Sequence, residues 1–238
     1  MKEKYWRYRI ITNLHCNQSC YFCYQPLKEK KILDIDKLKT ILNKTGYKKR
    51  ATIMGGESML LDNLPEYIEI VKKYADKVCL ITNGTLLNSD NLIQLKEVGL
   101  DELAISVHSI EQYLKRRSQI ILASSFIKNC RVNLPKSWES VGDKLYNLIK
   151  IILVDNIYVE VCEDLMGRYG QYDFEKSMGA KYVGSDGYNF LSYSYNGKHF
   201  GVFAAHEGYD KTDVIISPLG VFVDWVKYCK KVGNDKLS

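Results

Sequence analysis

Short apolar runs and amphipathic segments take turns along the first two-thirds of the chain. "YRIIT" (8–12), "ATIMGGES" (51–58), "KVCLITNG" (77–84), "ELAISVHS" (102–109), "CRVNL" (130–134) and "NIYVEVC" (156–162) read as strands. Between them the period lengthens to that of a helix. "IDKLKTILNK" (35–44) sets Leu38, Ile41 and Leu42 on one face. "LPEYIEIVKKYA" (64–75) sets Leu64, Tyr67, Ile68 and Val71 at i, i+3, i+4 and i+7, with Pro65 suited to its first turn. "SDNLIQLKEVG" (89–99) opens on Ser89 as a cap and stops at Gly99, and further helices are expected over about 111–128 and 138–151.

Six β-then-α steps of this kind imply a parallel sheet with helices outside it, and the pattern fits an open sheet or a barrel equally well. After Leu165 the pattern changes. Residues 166–187 hold five glycines without a clear period and read as a loop or lid. "YNFLSYSYNGKHFGVFAA" (188–205) alternates around Asn196-Gly197, a hairpin signal, and "DVIISPLGVFVDW" (213–225) reads as a second hairpin around Pro218 to Gly220. The expected organisation is an α/β core over 1–165 and a C-terminal loop and β-hairpin cap over 166–238.

Composition narrows the class without naming it. With 238 residues, 46% hydrophobic and 26% charged, the chain has enough apolar surface for a sizeable core. No run approaches the roughly 18 unbroken apolar residues of a membrane span, and the N-terminal residues lack a signal-peptide core, so a cytoplasmic protein without a membrane partner is expected. The net charge of +6 comes from short runs, "KEKK" (28–31), "KKR" (48–50), "KRR" (115–117) and lysines near the C-terminus, which solvated faces explain; charge alone does not carry a nucleic-acid partner. Thiols stay reduced in the cytosol, so clustered cysteines there point to metal or catalysis.

Three of the seven cysteines, Cys16, Cys20 and Cys23, fall within "LHCNQSCYFCYQ" (14–25), just after the first strand. A structural zinc site needs four closed ligands, and His15 lies too close to Cys16 in sequence to chelate the same tetrahedral ion comfortably. A cubane iron–sulfur cluster takes four cysteines, so three would leave one iron open, as catalysis requires. "MGGES" (54–58) ends the second strand with two glycines that permit close backbone approach, followed by the carboxylate of Glu57. "ITNGT" (81–85) ends the third strand and "SVHS" (106–109) the fourth. In a parallel α/β sheet the carboxyl ends of the strands share one side, so all four signals are expected to converge there.

The C-x3-C-x2-C of Cys16, Cys20 and Cys23, with Phe22 before the last cysteine and "GGES" and "TNGT" in register, resembles the radical S-adenosylmethionine (SAM) enzyme superfamily over roughly residues 8–162. The resemblance implies a partial (β/α)6 TIM-like barrel with a small C-terminal antiparallel β cap. It implies one oxygen-sensitive [4Fe–4S] cluster on the three cysteines, whose open iron binds SAM. SAM is then cleaved reductively to a 5′-deoxyadenosyl radical that abstracts hydrogen from a peptide side chain or small molecule. It also implies a reductant such as flavodoxin or ferredoxin. Carried onto this sequence, the segment around Phe22 contacts adenine, Gly55, Gly56 and Glu57 receive the SAM amino group, Ser106 contacts SAM, and Thr82 and Asn83 line the same rim. Ser58 stands where proline is commonest, and His108 where many relatives carry an acidic residue. Two other readings are kept: an activase that installs a glycyl radical on a partner protein, and a metal-dependent binding or scaffold protein.

Candidates for substrate chemistry are weaker. Arg131 and Asn133 share one side of the fifth strand, and Arg131 reaches a carboxylate or phosphate if that side faces inward. Cys162, sharing a side with Glu160, is a candidate hydrogen donor; Cys130 and His108 are the other catalytic candidates, and His206 and Glu207 sit at a hairpin end.

Overall fold

The computed structural model describes residues 7–20, 23–25, 27–135, 143–162, 179–185, 190–203, 213–223 and 225–233. Five β-then-α steps and the sixth expected strand form in order: β1 (Arg7–Ile11), α1 (Ile35–Thr45), β2 (Lys48–Met54), α2 (Leu64–Lys72), β3 (Ala75–Thr82), α3 (Ser89–Glu97), β4 (Glu102–Ser106), α4 (Ile110–Phe126), β5 (Asn129–Pro135), α5 (Asp143–Val154) and β6 (Tyr158–Cys162). Local chemistry fixes their ends. Asp34 caps α1 by accepting from Lys37 N at 2.7 Å, and Ser109 caps α4 by accepting from Gln112 N at 3.0 Å. The cap of α3 is Asn88, one residue before the expected Ser89, because Asn88 and Asn91 each accept from the other's backbone N–H at 3.0 Å.

β7 (Lys181–Ser185), β8 (Phe190–Tyr195), β9 (Lys198–Phe203), β10 (Asp213–Ser217), β11 (Gly220–Phe222) and α6 (Trp225–Lys231) follow. All eleven strands share one sheet, in the order β11-β10-β1-β2-β3-β4-β5-β6-β9-β8-β7. The run from β10 through β1–β6 to β9 is parallel; β11 at one edge and β8 and β7 at the other are antiparallel. The fold is a mixed α/β sheet of partial-barrel type. Arg50 of β2, two strands away, and Arg131 of the neighbouring β5 both reach Oε2 of Glu102 on β4.

Both hairpins form, the first on Asn196 (φ 48°) and Gly197 (φ 72°), the two positive φ values of a type I′ turn. They do not lie together as one antiparallel sheet over residues 188–225. β9 pairs with β6, whereas β10 pairs with β1, where Arg7 and Arg9 each bond Asp213 at 2.6 and 3.0 Å. The reading of 166–187 as loop is corrected at 181–185, where β7 pairs with β8 around an irregularity between Tyr182 and Gly184. That bulge breaks the alternation by which a strand is recognised. Residues 166–178 and 186–187 lie outside the described residues, as do His206 and Glu207.

Strand alternation sorts side chains onto two faces. Tyr8, Ile10, Ile53, Leu80, Ile105, Val132 and Val159 point to the helices and form the main core. The opposite face is polar along most of its length. It carries Arg50, Glu102, Arg131, Asn133 and Glu160, bonded to one another. At the β1–β2–β10 end it turns apolar. There Ile11, Met54 and Ile215 form a second core with Leu14 of the cysteine loop, Trp225, Tyr228 and Cys229 of α6, and Val232 just after it. Among the described residues no helix is long and apolar enough to cross a membrane.

Candidate active site

The loop that leaves β1 does not swing free. It continues alongside the end of β2, with Thr12 N donating to Met54 O (2.8 Å), Gly56 N to Asn13 O (2.9 Å) and Glu57 N to His15 O (2.8 Å). Asn13 Nδ2 adds a bond to Glu57 O at 2.9 Å, and Thr12 Oγ1 bonds Ser58 Oγ at 2.8 Å, which gives the serine in place of proline a structural partner. The two glycines are required by this crossing. A Cβ at Gly55 would stand 2.8 Å from Asn13 O, and one at Gly56 only 1.9 Å from His15 O. The close approach inferred from the sequence is thus made by the chain's own backbone, one residue before Cys16.

Glu57 is 2% exposed and ties the ends of β2 and β3 together. Its Oε1 accepts from Thr82 Oγ1 at 2.8 Å and Met59 N at 3.0 Å, and its Oε2 from Asn83 N at 2.7 Å. A carboxylate offers about four acceptor positions, so one is left for an incoming donor. Burial raises its pKa, while those three donors and the nearby Arg116 oppose the shift. Glu57→Ala is expected to lower stability by about 1–3 kcal/mol, since it strands buried donors; a urea melt matching the unmodified protein would contradict this.

The three cysteines carry no disulfide and are half-buried. Cys20 lies within electrostatic range of both others. Burial, then Cys23 and Cys16, push its pKa up, while Lys28 and Arg116 pull it down. Lys28 Nζ donates to Cys23 Sγ at 3.3 Å. Among the described residues no three His, Cys, Asp or Glu side chains are gathered tightly enough for a single metal ion. A cubane differs in this respect, because its ligands bind separate irons and stand wider apart. Three thiols on one loop are the donor set such a cluster uses.

Asn83 connects this loop to the sheet. Its Nδ2 donates to Asn17 Oδ1 at 2.8 Å, its Oδ1 accepts from Thr85 N and Oγ1 at 2.9 and 2.6 Å, and Asn17 Nδ2 reaches Thr85 Oγ1 at 2.9 Å. Its carbonyl accepts from Arg116 of α4. In the sequence Arg116 is one member of the charge run 115–117. The structure separates that run: Arg117 pairs with Asp155 on the outside, while Arg116 turns towards Asn83, Glu57 and Cys20. Helical spacing places neighbouring positions about 100° apart, and that divergence was the available signal.

Ser106 ends β4 beside Asn133 of β5, on the polar face. Cys162 is on that face too, its Sγ 4.0 Å from Glu160 Oε1, with its thiol pKa raised by burial and then by Glu160. Cys130 is not with them; it packs into the helix-side core, and burial pushes its thiol up to about 12. Phe22 lies outside the described residues. His108 sits beyond β4 with its backbone N donating to Gln112 Oε1 at 3.0 Å. Burial, then Arg116, push its imidazole from 6.5 down to about 4. The unfolded chain therefore binds more protons between those values, so stability is expected to fall as pH drops from about 6.5 to about 4. His108→Gln should flatten that part of the pH–stability curve; an unchanged slope would count against it.

Comparison with known proteins fits this geometry. A profile of the radical SAM superfamily matches residues 10–134. A probable GTP 3′,8-cyclase of Methanococcus maripaludis (strain S2) is 30% identical over 152 residues, taking in 58% of this chain and 49% of the relative. A GTP 3′,8-cyclase of Aquifex aeolicus is 34% identical over 113 residues, 43% of this chain and 35% of the relative. The chain thus spans about half or less of the length of these curated relatives. Among solved structures, Streptococcus suis SuiB bound to S-adenosylmethionine superposes with a TM-score of 0.67 at 13% identity, over 94% of this chain and 61% of that one. BtrN in complex with AdoMet and 2-DOIA gives 0.51 at 14% identity, over 100% and 82%. At such identities these two likenesses show the fold alone. The profile match runs from Ile10 on β1 through the cysteine loop and Glu57 to Leu134 on β5, more than half of the sequence, and the chain belongs to the radical SAM superfamily.

Proposed function

We propose that the protein is a radical SAM enzyme acting on a polar small molecule or peptide side chain laid against the polar face of its sheet. Members of the superfamily use a [4Fe–4S] cluster and SAM. Here Cys16, Cys20 and Cys23 would hold the cluster. When bound and reduced, the cluster supplies the electron that cleaves SAM to methionine and a hydrogen-abstracting 5′-deoxyadenosyl radical. The protein's own part is binding, orientation and exclusion of water. Glu57 keeps one acceptor position for the SAM ammonium, and its neighbours Thr82 and Asn83 hold the carboxylate still. Ser106 stands at the rim beside Asn133.

The observation that carries the reading is the convergence of the cysteine loop, Glu57 and the β3 end through direct hydrogen bonds. The substrate class is supported by the face itself. Parallel barrels ordinarily fill their interior with Val, Ile and Leu. This one presents Arg50, Glu102, Arg131, Asn133 and Glu160 instead. Arg131, weighed from the sequence as a carboxylate or phosphate ligand, is bonded to Glu102 and Glu160 and acts first as a brace between strands. The superfamily match does not favour a scaffold role, and no observation favours an activase.

The test is anaerobic reconstitution followed by incubation with SAM and a strong reductant. About four irons per chain and formation of 5′-deoxyadenosine and methionine are expected. Protein that takes up iron but never cleaves SAM would overturn the proposal.

A further inference from the structure

Two of the chain's charge runs, at 28–31 and near the C-terminus, lie on segments that the fold joins. The segment 27–31 follows the cysteine loop directly, and its Leu27 N donates to Val232 O at the end of α6 at 3.2 Å, a contact between residues more than 200 positions apart. α6 buries Trp225, Tyr228 and Cys229 and turns Lys227, Lys230 and Lys231 outward, at i, i+3 and i+4, and Val232, just after it, is buried as well. Lys30 and Lys31 are exposed beside it, and Lys31 is paired with Glu29 at 2.6 Å. Lys28 closes the gap inward through its 3.3 Å contact with Cys23 Sγ. The segment that carries Lys28, Lys30 and Lys31 is thus joined at Leu27 to the residue that follows the lysine-bearing end of α6, and Lys28 touches a cluster-loop cysteine.

Between that loop and α6 the packing is aromatic. Tyr24, adjacent to Cys23 in sequence, lies 5.3 Å from Trp225 and 6.5 Å from Tyr228 between ring centroids, and the latter two stack at 5.4 Å. Tyr228 also holds Gln25 through a 2.7 Å bond. Next to Lys31 in the chain, Ile32 is 56% exposed, an apolar side chain within the basic surface.

We propose that the outer face of α6 and the 28–31 segment form the docking surface for an acidic protein that carries a one-electron centre. This rests on the radical SAM reading, which makes a reduced cluster necessary. In the transfer one electron leaves the carrier and enters the cluster; the carrier is oxidised by one, the cluster is reduced by one, and no atom moves. Electron tunnelling weakens steeply with distance, so the carrier has to dock where the cluster loop nears the surface. Here that surface is basic, and opposite charge speeds encounter.

The experiment compares the reconstituted protein with the Lys30→Glu/Lys230→Glu/Lys231→Glu variant. None of these lysines belongs to the site described above. Loss of the oxidised cluster's visible absorbance is followed by stopped flow, with two reductants: a flavodoxin in its hydroquinone state and photoreduced 5-deazaflavin, a small neutral molecule. Flavodoxin affinity is measured in parallel. The charge reversal is expected to slow reduction by flavodoxin about tenfold or more at low salt, with the difference shrinking as salt rises, and to leave deazaflavin reduction unchanged. Equal slowing with both reductants would mean that the lysines support the cluster itself, and would overturn the proposal. So would an unchanged flavodoxin rate, including the case in which the variant instead loses affinity for RNA or anionic vesicles. Unmodified protein that deazaflavin reduces but flavodoxin does not would also sink the docking surface. Protein that takes up no iron would sink the enzymatic reading beneath it.

Discussion

Gly56→Ala is expected to lose most of its iron after anaerobic reconstitution and to melt well below the unmodified protein. The added methyl would sit 1.9 Å from His15 O and 2.4 Å from its carbonyl carbon. Both are backbone atoms, so no rotamer change relieves the clash. Overpacking of this sort ordinarily costs about 1–3 kcal/mol. Here the compensating shift has to move the segment that leads into Cys16, and it breaks the Gly56 N–Asn13 O and Glu57 N–His15 O bonds together. Gly55→Ala, at 2.8 Å from Asn13 O, should show the same effect in weaker form. Iron per chain and a thermal melt check both. A Gly56→Ala protein with full iron and a normal melt would mean that the glycine serves only the ligand.

The second large effect is compositional. Cys16→Ala/Cys20→Ala/Cys23→Ala should take iron from about four per chain to none while leaving the fold in place. The three positions are half-buried on a loop and belong to neither hydrophobic core. Substitutions of that kind ordinarily stay within about 0.5 kcal/mol. Iron analysis with a circular dichroism melt tests it. Full iron loading in the triple variant would remove the cluster from this loop altogether.

These two variants separate what can be read along a chain from what cannot. The cysteine spacing is local, and it announces a metal centre by itself. The glycines are local too, and their need for space was legible. The neighbour that takes the space was not, because His15 and Gly56 meet only through the pairing of β1 with β2. Glu57 was legible as a carboxylate at a strand end. Its three donors come from the turn after β2 and from the end of β3, and they make it a structural tie as well as a candidate ligand.

The sequence by itself determined the six core strands and the five helices between them, the two hairpins and the loop that carries the thiols. Each of these follows from periods and turn residues within a dozen positions, and side-chain direction along a strand or helix is set by the backbone there. Tertiary structure alone decided which way Arg116 points, which sheet edge each hairpin joins and where α6 packs. Those outcomes hang on register between strands far apart in sequence: β10 beside β1, β9 beside β6. Alternation says which residues share a face, and it gives two equivalent answers for each strand. Only when every strand has chosen does Arg131 find Glu102 and Glu160, and only when the last helix closes over Ile11 and Met54 does Leu27, beside the cysteine loop, bond Val232 at the other end of the chain.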